Sequence, residues 1–180
     1  QADIGDVAAE ENGVGRGLAG KRRGRLAGND LKRRRAEGGR VRSDHGAAVW
    51  IALERDGEVI AGVIYGPLKD EEYWAEKGGG AFVSDRRLRV SGRRNLGESV
   101  IGTGAPFRGK GDHPAYLATL APIMAATSGV RRFGVASLDL AYVAAGRLDG
   151  FWEFGLKPWD IAAGLLMVRE SGGYATDLEG

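Results

Sequence analysis

Two acids stand seven residues apart in the run Asp149-Gly150-Phe151-Trp152-Glu153-Phe154-Gly155-Leu156-Lys157-Pro158-Trp159-Asp160-Ile161-Ala162-Ala163-Gly164. Residues 150–154 are strand-like and carry Glu153, a Gly/Lys/Pro turn follows, and Trp159-Asp160 opens an Ala-rich helix. Asp160 therefore falls in the first helical turn, where backbone N–H groups lack intrahelical acceptors and the helix dipole favours an anion. Trp159 reads as a buried neighbour that fixes this carboxylate. A carboxylate so held is a ligand for a hard cation such as Mg²⁺. For an isolated Asp, plain helix capping is the alternative reading.

Composition narrows the chemistry further. The chain has no cysteine and two histidines, His45 and His113, far apart and in unlike contexts. Disulfides, thiolate catalysis and Cys- or multi-His metal sites are thereby excluded. Metal chemistry must run on oxygen ligands, which points to Mg²⁺ or a similar hard ion. The apolar runs are too short to span a bilayer, and nothing near Gln1 resembles a signal peptide, so a cytoplasmic protein without membrane contact is expected. Both ends read as cut, Gln at the start and a strand running into a turn at the end, which predicts an incomplete domain.

The elements that must position the two acids are legible after residue 46. Apolar, β-rich runs over 47–53 and 58–65 flank Arg55-Asp56-Gly57, a hairpin signal. A second hairpin is predicted from 73–77 and 80–83 around a triple glycine, then a half-buried edge strand over 87–91 and a short strand over 99–103. Residues 114–126 have helical spacing behind Asp112-His113-Pro114, a cap with Pro in the first turn. A strand at 130–133, a helix at 137–145, a strand at 150–154, a helix at 159–171 and a last strand at 174–177 follow. Strands first, then alternating helices and strands, imply an α/β or α+β layered sandwich.

Charge divides the chain. Residues 16–42 hold eleven Lys and Arg against two acids, with many glycines and no aromatic residue. Residues 1–46 therefore read as a disordered Arg/Gly-rich segment, and 47–180 as the folded domain. Contact between the basic stretch and nucleic acid or another anion ranks below simple solvation, because no aromatic residues are interleaved in it.

Several segments together resemble the inositol monophosphatase family. Trp159-Asp160-Ile161-Ala162-Ala163-Gly164, followed by Glu170-Ser171-Gly172-Gly173, is similar to its second signature, with Glu153 correctly spaced upstream. The segment 51–65 looks like the family's central hairpin, 75–82 like its next turn, and 131–140 like the stretch before the signature. The resemblance implies an inositol monophosphatase/fructose-1,6-bisphosphatase-like fold, often dimeric. It also implies Mg²⁺-dependent hydrolysis of a small phosphomonoester such as inositol monophosphate. In such chemistry, metal ions polarise phosphoryl oxygens, make a nucleophile of bound water and steady the leaving alkoxide.

By position, the resemblance makes Asp160 a metal ligand and Glu153 the acceptor for a substrate hydroxyl. It places the backbone of Gly134 and Ala136 against the substrate, at a strand-to-helix junction whose N–H groups suit an anion. No catalytic side chain is assigned. Asp139, early in its helix, is expected to form a structural salt bridge, and Lys157 and Arg169 are expected to be solvated.

There are two departures from the pattern. Val135 stands where the family carries Ser or Thr. More seriously, the first signature, Asp-Pro-(Ile/Leu)-Asp-Gly-Thr, and the upstream Gly-Glu-Glu are missing ahead of the hairpin. Asp30 and Asp44 lack the neighbours that would make them ligands. A frameshift within 12–46 would produce this pattern. A non-catalytic member with a basic, anion-binding arm is the competing expectation.

Overall fold

The computed structural model describes residues 7–8, 47–107, 109 and 111–177. Asp30, Asp44, His45 and the Arg/Gly-rich stretch lie outside them. Strand β1 (Val7–Ala8) pairs antiparallel with β2 (Val49–Arg55). At Asp56 and Gly57 the backbone turns through positive φ angles of 54° and 78°, as a tight hairpin turn requires, and returns as β3 (Glu58–Gly66). Strands β4 (Glu71–Glu76), β5 (Gly80–Val83) and β6 (Arg86–Arg87) complete a six-stranded antiparallel meander. Pairing aligns Trp50, Ile64, Tyr73 and Val83 across the sheet, and all four are buried.

The rest of the chain alternates. After a 3₁₀ turn at Leu96–Glu98 come β7 (Val100–Thr103), α1 (His113–Ala126), β8 (Gly129–Arg131), α2 (Ala136–Ala144), β9 (Gly150–Trp152) and α3 (Pro158–Glu170). Here the strands are parallel, in the order β8-β7-β9, because each is joined to the next by a helical crossover. Successive residues of β7 serve opposite faces. Thr103 meets Tyr116 of α1 (3.4 Å between oxygens), whereas the space beside Gly102 holds Asp139 of α2.

The layers therefore run six-stranded sheet, α2 with α3, three-stranded sheet, α1. This is the layered α/β sandwich expected from the order of elements.

Close approaches hold α3 in the middle of this stack. A Cβ on Gly62 of β3 would lie 2.9 Å from the Ala163 Cα, and one on Gly164 would lie 2.6 Å from the Leu140 Cβ of α2. At its far end, Glu170 accepts hydrogen bonds from the N–H groups of Gly78 (2.7 Å) and Gly80 (2.9 Å), tying α3 to the β4–β5 turn. The Glu of the signature thus has a structural task. Across the same sheet, Arg147 donates to both Glu71 oxygens (2.8 and 2.7 Å) and to the Tyr73 hydroxyl (2.8 Å).

Two expected strands are corrected. The edge strand over 87–91 is cut to Arg86–Arg87: Leu88 N–H still bonds to Ala81, but Val90 N–H turns to the Ser171 carbonyl at the end of α3. Residues 174–177 form no strand. Gly173 N–H closes back on Val168, Tyr174 is left 87% exposed, and no strand among the described residues lies alongside.

Substituting Gly62 with Ala should cost about 1–3 kcal/mol, because backbone rather than a flexible side chain must yield. Gly92, whose Cβ would meet nothing within 4 Å, is the control, and Gly92→Ala should stay within about 0.5 kcal/mol of the wild type. Denaturant midpoints of the three proteins measure both effects.

Candidate functional site

The chain leaves β7 for β8 on one side and then crosses to β9 on the other, so the order of the parallel sheet reverses at β7. In open sheets of this kind, ligands bind outside the carboxyl ends of the strands at such a reversal. A cavity of about 800 Å³ lies there. Its walls are the segments that follow each strand: Gly104 to Phe107 after β7, Arg132 to Ser137 after β8, and Glu153 to Asp160 after β9, with Trp50 of β2 closing one side.

All four residues singled out from sequence, Gly134, Ala136, Glu153 and Asp160, line this cavity. Gly134 takes a φ of 84°, a left-handed conformation that costs a glycine little, and this lets the chain turn from β8 into α2. The first turn of α2 has no side-chain cap, since Val135 holds the cap position. Val135, Ala136 and Ser137 at this helix start line the cavity, and an anion is favoured at such an end. Ser137, in the same turn, is 2% exposed, and its Oγ has no hydrogen-bond partner.

Asp160 sits in the first turn of α3, as the sequence predicts, and its Oδ2 accepts a hydrogen bond from the Lys157 N–H (3.1 Å). It both caps its helix and faces the cavity. Trp159 is not the buried neighbour expected. It is 41% exposed, and its carbonyl accepts from the Trp50 indole N–H at 2.9 Å, so the backbone anchors the helix start instead. Lys157 and Arg169 are exposed as expected, Lys157 on the cavity wall.

Glu153 is half-buried, and its carboxyl lies directly over Gly104, where a Cβ would fall 1.8 Å from its Cδ. Only glycine leaves room. Burial raises the Glu153 pKa, with Arg132 opposing and Asp160 adding to the rise.

Asp139 overturns the expected salt bridge. It is 1% exposed, its Oδ1 has no hydrogen-bond partner, and among the described residues no cation pairs with it. Burial, and then the Glu153 charge, push its pKa up to about 7, against opposing contributions from the Val135 backbone and Arg132. The signal for this site was Gly102-x-Gly104 at the end of a strand, since glycine there marks a close approach. Arg132 and Asp112, both on the cavity wall, carried no such signal; Asp112 also caps α1 by accepting from Ala115 N–H (2.9 Å).

A profile of the inositol monophosphatase family matches residues 41–180. The chain belongs to this family. It is 62% identical over 133 residues to the inositol-1-monophosphatase of Mesorhizobium japonicum, an alignment covering 74% of this chain and 50% of that protein. It is 49% identical over 135 residues to the Nus factor SuhB of Pseudomonas aeruginosa, covering 74% and 50%. The crystal structure of the extragenic suppressor protein SuhB from Bartonella henselae superposes with a TM-score of 0.73 at 59% identity, covering 76% of this chain and 52% of that one. The chain spans about half the length of the curated relatives it matches. The family's fold is therefore the one described above, and the matched region starts slightly ahead of residue 47.

The Asp139 carboxyl makes a prediction about pH. Its folded-state pKa, about 7, lies above the 3.8 of an unfolded aspartate. Its contribution to stability is therefore full below the unfolded value and lost as pH rises through about 7. Between about pH 5 and about pH 8 the wild type should lose stability on the order of a few kcal/mol, and Asp139→Asn should flatten that slope. Denaturant unfolding at both pH values is the measurement, and equal slopes would refute the assignment.

Proposed function

We propose that the chain carries the substrate-binding side of a phosphatase that hydrolyses a small phosphomonoester, with inositol monophosphate the foremost candidate and Mg²⁺ the metal. One observation carries this reading: an acceptor acid, an uncapped helix start and a first-turn aspartate surround one cavity at the reversal of a parallel sheet. Glu153 accepts a hydrogen bond from a hydroxyl of the substrate. The backbone from Gly134 to Ala136 approaches the substrate, and the open N–H groups of α2, with Arg132 and Lys157 on the wall, supply positive potential for its phosphate. Asp160 offers a carboxylate oxygen to a hard cation. The name of the Mesorhizobium japonicum relative supports inositol 1-phosphate as the first substrate to try. The proposed working unit is residues 47–180. A cytoplasmic location and pairing as a homodimer go with the same reading.

The metal must be tested against the residues present. Among the described residues, no group of three or more His, Asp or Glu is placed to hold a metal ion. Asp160 is one carboxylate, with one oxygen already engaged by Lys157. Tight sites for hard divalent cations draw on several oxygen ligands. The described residues therefore do not by themselves fit a firmly held Mg²⁺.

This shortage favours a second reading, a non-catalytic member that keeps the cavity and binds a phosphorylated ligand without turning it over. The Pseudomonas aeruginosa relative, named a Nus factor, shows that other names also attach to this sequence type.

Release of inorganic phosphate from inositol 1-phosphate at millimolar Mg²⁺ separates the two. The phosphatase reading expects release that Asp160→Asn abolishes and that Glu153→Gln weakens chiefly through KM, by about 10-fold or more for a lost charged hydrogen bond. No release at any Mg²⁺ concentration, alongside retained binding of the substrate, decides for the second reading.

A further inference from the structure

Two carboxyl groups share one face of β7. Gly102 and Gly104 are two residues apart, so the sites where their side chains would stand lie on the same side of the strand, about 6.6–7 Å apart. Both sites are taken by acids from elsewhere. The Asp139 Oδ1 is 3.3 Å from the Cβ position of Gly102, beside Leu148 and Phe151, and the Glu153 carboxyl fills the Cβ position of Gly104. Gly104 N–H bonds to the Trp152 carbonyl at 3.3 Å, which continues the strand pairing beneath both acids.

We propose that Asp139 is a positioning residue for Glu153: it fills the buried place over Gly102, so that of these two acids only Glu153 faces a ligand. This rests on the reading of Glu153 as the ligand-facing acceptor. It goes beyond that reading by giving the neighbouring buried acid a task.

The two environments differ in a way that sorts the proton. Asp139 is shut off from solvent and its Oδ1 receives no hydrogen bond, so an anion there is costly and a proton is retained. Glu153 is only half-buried, lines the cavity and has Arg132 to lower its pKa. Two acids held together give up their protons in two steps, and the better-solvated one goes first. Glu153 ionises while Asp139 keeps its proton, consistent with burial and the Glu153 charge acting together on Asp139.

The other charged groups leave this order intact. Arg132, between β8 and α2, opposes both rises, while Asp160 on α3 adds to that of Glu153 alone. Strand β7 contributes no ionisable side chain. Lys69 and Arg147 stand over the ring of Tyr142, farther along α2. On β3 the acid is Glu58, ion-paired with Lys77.

When Asp139 does ionise, a second negative charge lies beside Glu153. A phosphorylated ligand then meets one more negative charge than before. The pair thereby ties ligand binding to the protonation of a group the ligand need not touch.

Carboxyl-detected ¹³C NMR titration of the full chain tests this without any need for turnover. The expected result is a Glu153 carbon that shifts in two steps, the second coinciding with the titration of Asp139. In Asp139→Asn the second step should vanish. In Glu153→Gln the Asp139 midpoint should fall by about one pH unit, because a neighbouring anion is gone. A single-step Glu153 curve, or an Asp139 midpoint unmoved by Glu153→Gln, overturns the proposal. Should Asp139→Asn not fold, the Glu153→Gln titration decides alone. A failed phosphatase reading looks different: no phosphate is released, while the two carboxyls still titrate as a coupled pair.

Discussion

The seating of α3 is the constraint on which the rest of the structure depends. This helix touches β3 through Gly62 and Ala163 and touches α2 through Gly164 and Leu140, at separations that leave no room for even a methyl group. Interiors packed at this density behave as rigid bodies, so one helix placed in this way fixes its neighbours. Both ends of α3 are also tied. Glu170 holds the β4–β5 turn at one end, and Trp50 holds the Trp159 carbonyl at the other. The position of Asp160 relative to β2 and to the start of α2 follows from these contacts. The small residues of the signature, Ala163 and Gly164, thus serve packing, and the acid among them is delivered to the cavity by that packing.

The cavity combines features that seldom coexist at a merely structural surface. Acids and bases share its walls, yet the described acids there pair with backbone groups and with burial more than with the bases. Two acids outside the cavity differ. Glu71, gripped by Arg147 and hydrogen-bonded by Tyr73, has its pKa lowered to about 2, and Asp149 accepts from Arg93 and from the Val100 N–H. Acids bound to stability are matched by cations and donors, whereas Asp139 and Glu153 are left with raised pKa values. Perturbation without structural compensation is the physical mark of a functional site.

The element order was legible because each stretch carried its own period. The 56–57 turn, the cap at Asp112 and the Ala-rich helix behind Trp159 are local signals, and local physics placed them correctly. What failed was non-local. Residues 88–91 alternate like a strand, but the end of α3 captures Val90 N–H before the sheet can. Residues 174–177 have strand composition, but no strand among the described residues lies alongside to pair with them. Tryptophan is usually buried, yet Trp159 is 41% exposed and its carbonyl does the anchoring. Asp139 departs from expectation for a similar reason. An acid in the first turn of a helix is ordinary in sequence, and only the glycines of a distant strand show that it is enclosed.

Binding and turnover have separate requirements, and the described residues meet them unequally. Recognition of a phosphorylated polyol needs an acceptor for a hydroxyl, donors for an anion and a cavity of fitting size. On the proposed reading, Glu153, the start of α2 and the cavity beyond β7 would supply these. Turnover demands interactions that strengthen as charge moves onto the leaving oxygen. In metal-dependent phosphoryl transfer, that strengthening comes from cations held by several carboxylates, and the described residues contribute Asp160 alone in a position of that kind.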